Sequence, residues 1–290
     1  MSEDEKTLTV TPLPAVPQAP PTAAAEDRRF CVLGVSITDV SRGRAVELLE
    51  GMIRRRDGRT RSVFFVNSHT LNLAAADEQF RWVLGSADHV FGDGTGVRWA
   101  ARLQGIRLRD NLVGTDLVPA LLSSAAGHRY RYFLLGAGKR SMLPAAQYAA
   151  ARFTGWVQAG YHHGFLHTPK LCDEVIRQIN DSRADLLLVG MGNPLQEQWI
   201  NAHRQELNVP LAVGVGGLFD YWAGNIHRTP AWLRRCGAEW LGILWQQPHK
   251  AARYLLGNPL FVARVLREQR EQRHPRQLGR VLREFCKRRV

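Results

Sequence analysis

The feature that most constrains this chain is an alternation of short, unbroken apolar runs with longer segments of helical period. The runs are "CVLGVSI", "SVFFVN", "HVFG", "YRYFLLGA", "DLLLVGMG" and "LAVGVGG". They lack polar alternation, so strands made from them need cover on both faces, as in a mostly parallel sheet between helical layers. The segment "SRGRAVELLEGMIRRR" supplies such cover, because Ala45, Leu48, Leu49, Met52 and Ile53 fall on one helical face. The expected fold is therefore α/β and doubly wound, with a mostly parallel, Rossmann-like sheet. A length of 290 residues gives room for one large domain or two small ones.

Several runs end in glycine or small polar residues: Asn67-Ser68-His69, Gly92-Asp93-Gly94, Gly136-Ala137-Gly138, Gly192-Asn193-Pro194 and Gly216-Gly217. Ligands of open α/β sheets bind outside the carboxyl ends of the strands. These loops are expected to line one crevice.

The ends of the chain differ in composition from its middle. Residues 1–27 are rich in Pro and Ala with few large apolar groups, which predicts a disordered leader. Residues 28–230 form the expected α/β domain, and residues 231–290 a basic, Trp-rich, amphipathic helical appendage. Trp232, Trp240, Leu241, Leu244, Trp245 and Tyr254 give that appendage its apolar side. From Lys250 onward there are twelve Lys or Arg against three Glu, within a chain of net charge +13. Charge alone admits nucleic acid, anionic lipid or phosphate-bearing substrates, as well as a plain solvated helix. The tryptophan spacing suits packing on something apolar better than base stacking.

No run approaches the roughly 18 apolar residues of a membrane-spanning helix. The sequence starts with acidic residues, so neither a membrane span nor a secretory signal is expected. The four cysteines show no C-x-x-C spacing, which predicts no zinc site, no disulfide framework and a reducing cytoplasm.

The candidate chemistry is ambiguous residue by residue. "GDGTG" looks like a methyltransferase or dinucleotide loop, yet strands precede it, and the acidic residue about 20 positions on is Asp116 of "LVGTDLVPALL". Asp93 itself fits a turn or helix cap as well as a working carboxylate. His162 and His163, adjacent on an extended segment, are expected to point to opposite faces and so to serve structure or substrate contact instead of a metal. In "GNPLQEQWI", Pro194 suits a first helical turn, where Gln196 and Glu197 would cap the helix or hold a sugar or phosphate. A sugar- or methyl-transferring enzyme and a non-catalytic basic nucleotide- or nucleic-acid-binding protein both remain open at this level.

The ordered set "FFVNSHTLNLAAADEQFRWVLGSADHVFGDGTGVRWAARLQG", "LVGTDLVPALL", "YFLLGAGKRS", "AGYHHGF", "ADLLLVGMGNPLQEQWI", "VGVGGLFDYWAGNIHRTPAWLRR" and "GAEWLGILWQQPHKAARYLLGNP" resembles the WecG/TagA/CpsF family of bacterial glycosyltransferases over residues 30–268. The resemblance implies an inverting, metal-independent transfer of a sugar from a UDP-sugar to a saccharide on polyprenyl diphosphate. It further implies a peripheral enzyme on the inner face of the cytoplasmic membrane, working in cell-surface or exopolysaccharide biosynthesis without a cofactor or nucleic acid.

Residue by residue, the resemblance implies Asp93 as general base and Asn67 as the group orienting the acceptor, while Phe65 stands where the family often has Thr. Gly94 gives the acceptor access to the carboxylate, and Gly114 and Asp116 join it among the substrate-binding positions. Gln196, Glu197, Phe219 and Asp220 would serve the nucleotide sugar, with close backbone approach at Gly136, Gly216 and Gly217. Lys250 and Arg253 would hold the diphosphate. Ile243 stands where a third cation is expected, with Arg228 or Arg234 as substitutes. The basic appendage would dock on an anionic membrane surface; whether the chain forms a homo-oligomer is left open.

Overall fold

A computed structural model describes residues 27–124, 126–227, 229, 239–246 and 251–271. The proposed leader up to residue 26, Arg228, Trp232, Arg234, Lys250 and the tail beyond residue 271 lie outside the described residues, as do the side chains of Trp240, Leu241, Ile243 and Tyr254.

The chain begins with β1 (Arg28–Val32) and β2 (Val35–Asp39), followed by α1 (Arg42–Arg54), β3 (Arg61–Val66), α2 (Ser68–Ala76), α3 (Glu78–Gly85), β4 (His89–Gly92), α4 (Thr95–Leu103) and α5 (Gly114–Ser124). Then come β5 (Arg131–Gly136), α6 (Lys139–Arg152), β6 (Val157–His162), α7 (Pro169–Asp181), β7 (Leu186–Gly190), α8 (Leu195–His203), β8 (Leu211–Gly214) and α9 (Leu218–Trp222). The described part of the appendage contains α10 (Glu239–Gln246), α11 (Ala251–Leu255) and a helix over residues 257–271.

The eight strands form one sheet in the order β1-β2-β4-β3-β8-β7-β5-β6. Only β1 and β2 pair antiparallel. Every residue of β3, β4, β7 and β8 is buried, which accounts for their unbroken apolar runs. Helices α1, α5, α6 and α9 cover one face through Leu49, Leu121, Ala145 and Phe219. Helices α2, α3, α4, α7 and α8 cover the other through Leu71, Phe80, Ala100, Ile176 and Ile200. Neighbouring strands β3 and β8 thus lead to helices on opposite faces, the arrangement that opens a ligand crevice at their carboxyl ends.

Two strands differ from the sequence expectation. "CVLGVSI" reads as one run, but the chain turns at Leu33 and Gly34 and becomes the hairpin of β1 and β2. Strand β6, "VQAGYH", has no apolar run to announce it, because it is the sheet edge and its residues are only partly buried.

The described appendage packs on the α/β domain. Asn72 Nδ2 donates to the Gly257 carbonyl at 2.7 Å, and Arg264 Nη1 donates to the Asn72 carbonyl at 2.7 Å. Glu268 Oε2 accepts from the Leu33 amide at 3.1 Å. Phe261 and Val265 are buried in the core of that face. Among the described residues, no helix is long and apolar enough to cross a membrane.

Candidate active site

Asn67 and Asp93 leave the ends of two paired parallel strands. The register joins Val66 to Gly92, and the Asp93 amide donates to the Val66 carbonyl at 2.8 Å, so the two residues sit side by side just past the sheet. Asn67 is the N-cap of α2, its Oδ1 accepting from the amides of His69 at 3.0 Å and Thr70 at 3.2 Å. With the oxygen so used, the amide nitrogen makes no hydrogen bond among the described residues and is the atom with which Asn67 can donate to a ligand.

The N-cap of α4 is Gly94, one position after Asp93, so the capping position expected of the aspartate falls to the glycine. Gly94 has φ +90° and donates its amide to Asn111 Oδ1 at 3.0 Å. That conformation suits glycine alone, and it leaves the half-buried Asp93 carboxylate beside a backbone with no side chain. A Cβ on Gly96 would lie 2.0 Å from Ser68 Oγ, so the N-termini of α2 and α4 meet behind the two loops. Arg253 of α11 brings a cation to the same place, its Nη2 lying 3.4 Å from Asn67 Oδ1. Of the cations expected here, Arg253 is described and Lys250 is not.

Phe65, on the strand that carries Asn67, packs its ring on Phe91 and against Gly114, where a Cβ would come within 3.0 Å. Gly114 is buried and makes room for that ring, while Asp116 is half-buried in the first turn of α5.

Across the crevice the loops after β5, β7 and β8 interlock. Gly136 has φ +143°, and a Cβ there would lie 2.4 Å from the Gly190 carbonyl oxygen. A Cβ on Gly190 would meet the Phe219 ring at 2.7 Å. Gln196 Oε1 accepts from the Gly216 amide at 3.0 Å, and its Nε2 donates to Glu197 Oε1 at 2.8 Å. Asn193 Nδ2 donates to the same Glu197 oxygen.

Gln196, Glu197 and Phe219 are 1%, 0% and 1% exposed. These residues, expected at the donor, lie beneath the crevice and support its loops. Gly216, Gly217 and Asp220 are the members of that expected group that reach solvent, and the Asp220 carboxylate makes no hydrogen bond among the described residues.

Burial pushes the Glu197 carboxyl up to about 7, against the hydrogen bonds of Gln196, its own amide and Asn193. A carboxyl raised in the folded state favours folding most below its unfolded value of about 4.5 and loses that contribution as pH climbs to about 7. Glu197→Gln, which has the shape of the neutral acid, is expected to flatten this part of the pH–stability curve by on the order of 3 kcal/mol between pH 5 and 8. Urea unfolding of both proteins measures the difference, and parallel curves would contradict it.

A cavity of about 630 Å³ opens between the N-terminus of α6 and the segment after β6, lined by Gly138, Lys139, Arg140, His163, Phe165, His167 and Leu171. Phe165 is 46% exposed and stacks on His167 with ring centroids 5.6 Å apart. The rings of His162 and His163 approach to 4.3 Å instead of pointing apart, because β6 ends at His162 and the chain bends there. His162 Nδ1 donates to the His163 carbonyl at 2.7 Å. Burial, and then the neighbouring His162, push the His163 imidazole pKa down.

Lys139 and Arg140 were missed as site residues, although the sequence signals them. Two cations in the first turn of α6 oppose the helix dipole, an arrangement that an anion over that turn relieves.

The crevice therefore runs from a carboxylate beside an amide and an arginine, over glycine loops, to a cationic cavity with an exposed aromatic ring. This is the layout of a group-transfer enzyme of the doubly wound α/β class. The chain belongs to the glycosyl transferase WecG/TagA/CpsF family, whose model matches residues 30–275, and it is a glycosyltransferase.

It is similar to N-acetylglucosaminyldiphosphoundecaprenol N-acetyl-beta-D-mannosaminyltransferases from several bacteria. The relative from Bacillus spizizenii is 33% identical over 208 residues, 72% of this chain and 79% of that protein. The Bacillus subtilis relative is 30% identical over 72% of this chain and 80% of its own length. A Staphylococcus aureus relative is 27% identical over 83% of this chain and 93% of its own.

Proposed function

We propose that the chain transfers a sugar from a UDP-sugar, with inversion and without a metal ion, to an N-acetylglucosamine-type saccharide carried on polyprenyl diphosphate. The observation that carries this reading is the pairing of Asp93 and Asn67 at adjacent strand ends beside Arg253. The names of the relatives support this acceptor.

In this reading Asn67 donates from its amide nitrogen to the acceptor sugar, and Asp93 accepts the proton of the attacking hydroxyl. The oxygen attacks the anomeric carbon from the side opposite the nucleotide, so the configuration inverts and UDP departs. Cations must offset the diphosphate charge as it develops, a role for Arg253 and its sequence neighbour Lys250.

The donor extends along the strand ends. Four strand intervals separate β4 from β5, and at about 4.8 Å each they span about 19 Å, room for an extended sugar nucleotide. Its transferred sugar lies by Asp93, the loops held by Gln196 contact its diphosphate, and Asp220 accepts from a donor hydroxyl. The cavity takes the nucleoside end, with Phe165 under the base and Lys139 and Arg140 facing phosphate.

The appendage adds a means of reaching a lipid-borne acceptor. Leu255, Leu256 and Leu260 are 57%, 72% and 47% exposed, an apolar patch beside the basic segment that suits the surface of an anionic membrane.

A thermal-shift comparison tests the donor part. UDP is expected to raise the melting temperature, and Phe165→Ala to weaken UDP binding by about tenfold, the worth of one stacking contact. Stabilisation by S-adenosylmethionine or single-stranded DNA in place of UDP would contradict the proposal.

A further inference from the structure

Glu197 is a buried ionisable group that the transfer step does not use. Its carboxyl is wholly buried, and one oxygen accepts from both Asn193 and Gln196. The other, Oε2, has no hydrogen-bond partner among the described residues. Asn193 belongs to the loop after β7, and Gln196 holds the Gly216 amide of the loop after β8. The carboxyl thus sits where side chains tie both loops together.

We infer that Glu197 is a positioning residue that takes up a proton when the donor binds, so that its carboxyl is neutral while an anionic diphosphate lies on the loops above it. This inference rests on the donor reading given above. The balance is simple: one proton moves from solvent to a Glu197 oxygen as the nucleotide enters and returns when it leaves.

The physical reason is like-charge repulsion in a poorly hydrated place. A carboxylate and a diphosphate separated by a layer of backbone destabilise each other, and the carboxylate is the group that can shed its charge. Among the described residues, no cation pairs with the carboxyl to offer other relief. Segments 62–66, 186–190 and 211–214 of the strands packed against α8 contain no titratable side chain. On the adjoining helices the described titratable groups are Glu78 and Arg81 of α3, which pair with each other, His203 at the far end of α8, and Asp220 and Tyr221 of α9. Helix α7 adds Lys170, Cys172, Asp173, Glu174, Arg177 and Asp181, of which Cys172 lies against Trp199 and His203 of α8. The influences on the carboxyl are burial first and then its hydrogen bonds to amides. Burial, set against those hydrogen bonds, already raises the carboxyl to about 7, so a further push from the donor acts near neutral pH.

The bonds to Asn193 and Gln196 persist in the neutral acid, because the accepting oxygen can remain a carbonyl. Protonation therefore removes the charge without releasing the loops. Donor affinity is expected to fall as pH rises above about 7, approaching tenfold per pH unit, and Glu197→Gln is expected to remove that dependence.

The test is calorimetry of UDP-N-acetylglucosamine binding in two buffers of different ionisation enthalpy, which counts protons. This probe is chosen because its diphosphate is esterified at both ends and does not titrate near neutrality. The full-length protein is expected to take up on the order of half a proton per nucleotide at pH 7.5 and almost none at pH 5.5. Glu197→Gln is expected to bind with no such uptake.

Asn193→Ser provides a second variant. It removes a hydrogen bond that favours the ionised carboxyl, so uptake at pH 7.5 is expected to shrink. Binding with equal proton counts in all three proteins would overturn the inference and leave the donor reading standing. Absence of any binding or thermal shift with the nucleotide sugar would overturn the donor reading and this coupling together.

Discussion

Asp93→Asn is expected to keep the fold and donor binding while lowering kcat by about a thousandfold, in the middle of the range for a positioned general base. The carboxamide has the size of the carboxylate but cannot accept the proton of an attacking hydroxyl. Position 93 is held by its backbone amide on the Val66 carbonyl at 2.8 Å and by the glycine that follows, and these two restraints do not depend on the side-chain charge. Steady-state kinetics, a UDP titration and a melting curve on the same preparation separate the cases. A near-normal kcat would remove Asp93 from the base role, and loss of fold would show that its carboxylate serves the structure.

The largest expected effect on stability is at Gly136. With φ +143° and a would-be Cβ 2.4 Å from the Gly190 carbonyl oxygen, an alanine there is strained by its own backbone and collides with a neighbouring strand. The atoms it meets are main chain, so no rotamer change relieves the contact, and β5 and β7 must separate at their carboxyl ends. Gly136→Ala is expected to cost about 4 kcal/mol, combining a Gly-only conformation with overpacking. At this chain length that lowers the melting temperature by on the order of 10 °C. Because Gly190 also abuts Phe219 and the loop of Gly216, the folded fraction is expected to bind UDP more weakly as well. A variant that melts like the parent would show that the close approach of these strands is not required.

The sheet was legible wherever strands are buried on both faces. Runs such as "VFFV" and "LLLVG" are apolar throughout because helices cover both sides of β3 and β7, and periodicity records that directly. Strand β6 was not legible, since an edge strand is free to carry Gln158, Tyr161 and His162, and its pairing with β5 leaves no local pattern. The hairpin of β1 and β2 was hidden by a turn at Leu33 and Gly34 inside a continuous apolar run.

The site divides in the same way. Asn67 and Asp93 were readable because each directly follows a core strand, and parallel pairing brings such positions together. Gln196 and Glu197 were readable as polar residues at a helix start, but their depth beneath the loops depends on how α8 packs on β8, which has no local signature. Lys139 and Arg140 stood in plain sight at the start of α6. Their meaning emerged only when residues after β6, distant in sequence, closed a cavity over them.

The central claim is glycosyl transfer at Asp93, and product formation tests it most directly. The protein is incubated with a panel of UDP-sugars and a short polyprenyl diphosphate bearing N-acetylglucosamine, with EDTA present, and the lipid product is weighed by mass spectrometry and its new linkage assigned by NMR. The expected result is an acceptor heavier by one sugar residue, joined with inverted anomeric configuration, and formed about a thousandfold more slowly by Asp93→Asn. No product from any UDP-sugar, or equal rates from the parent and Asp93→Asn, would contradict the account.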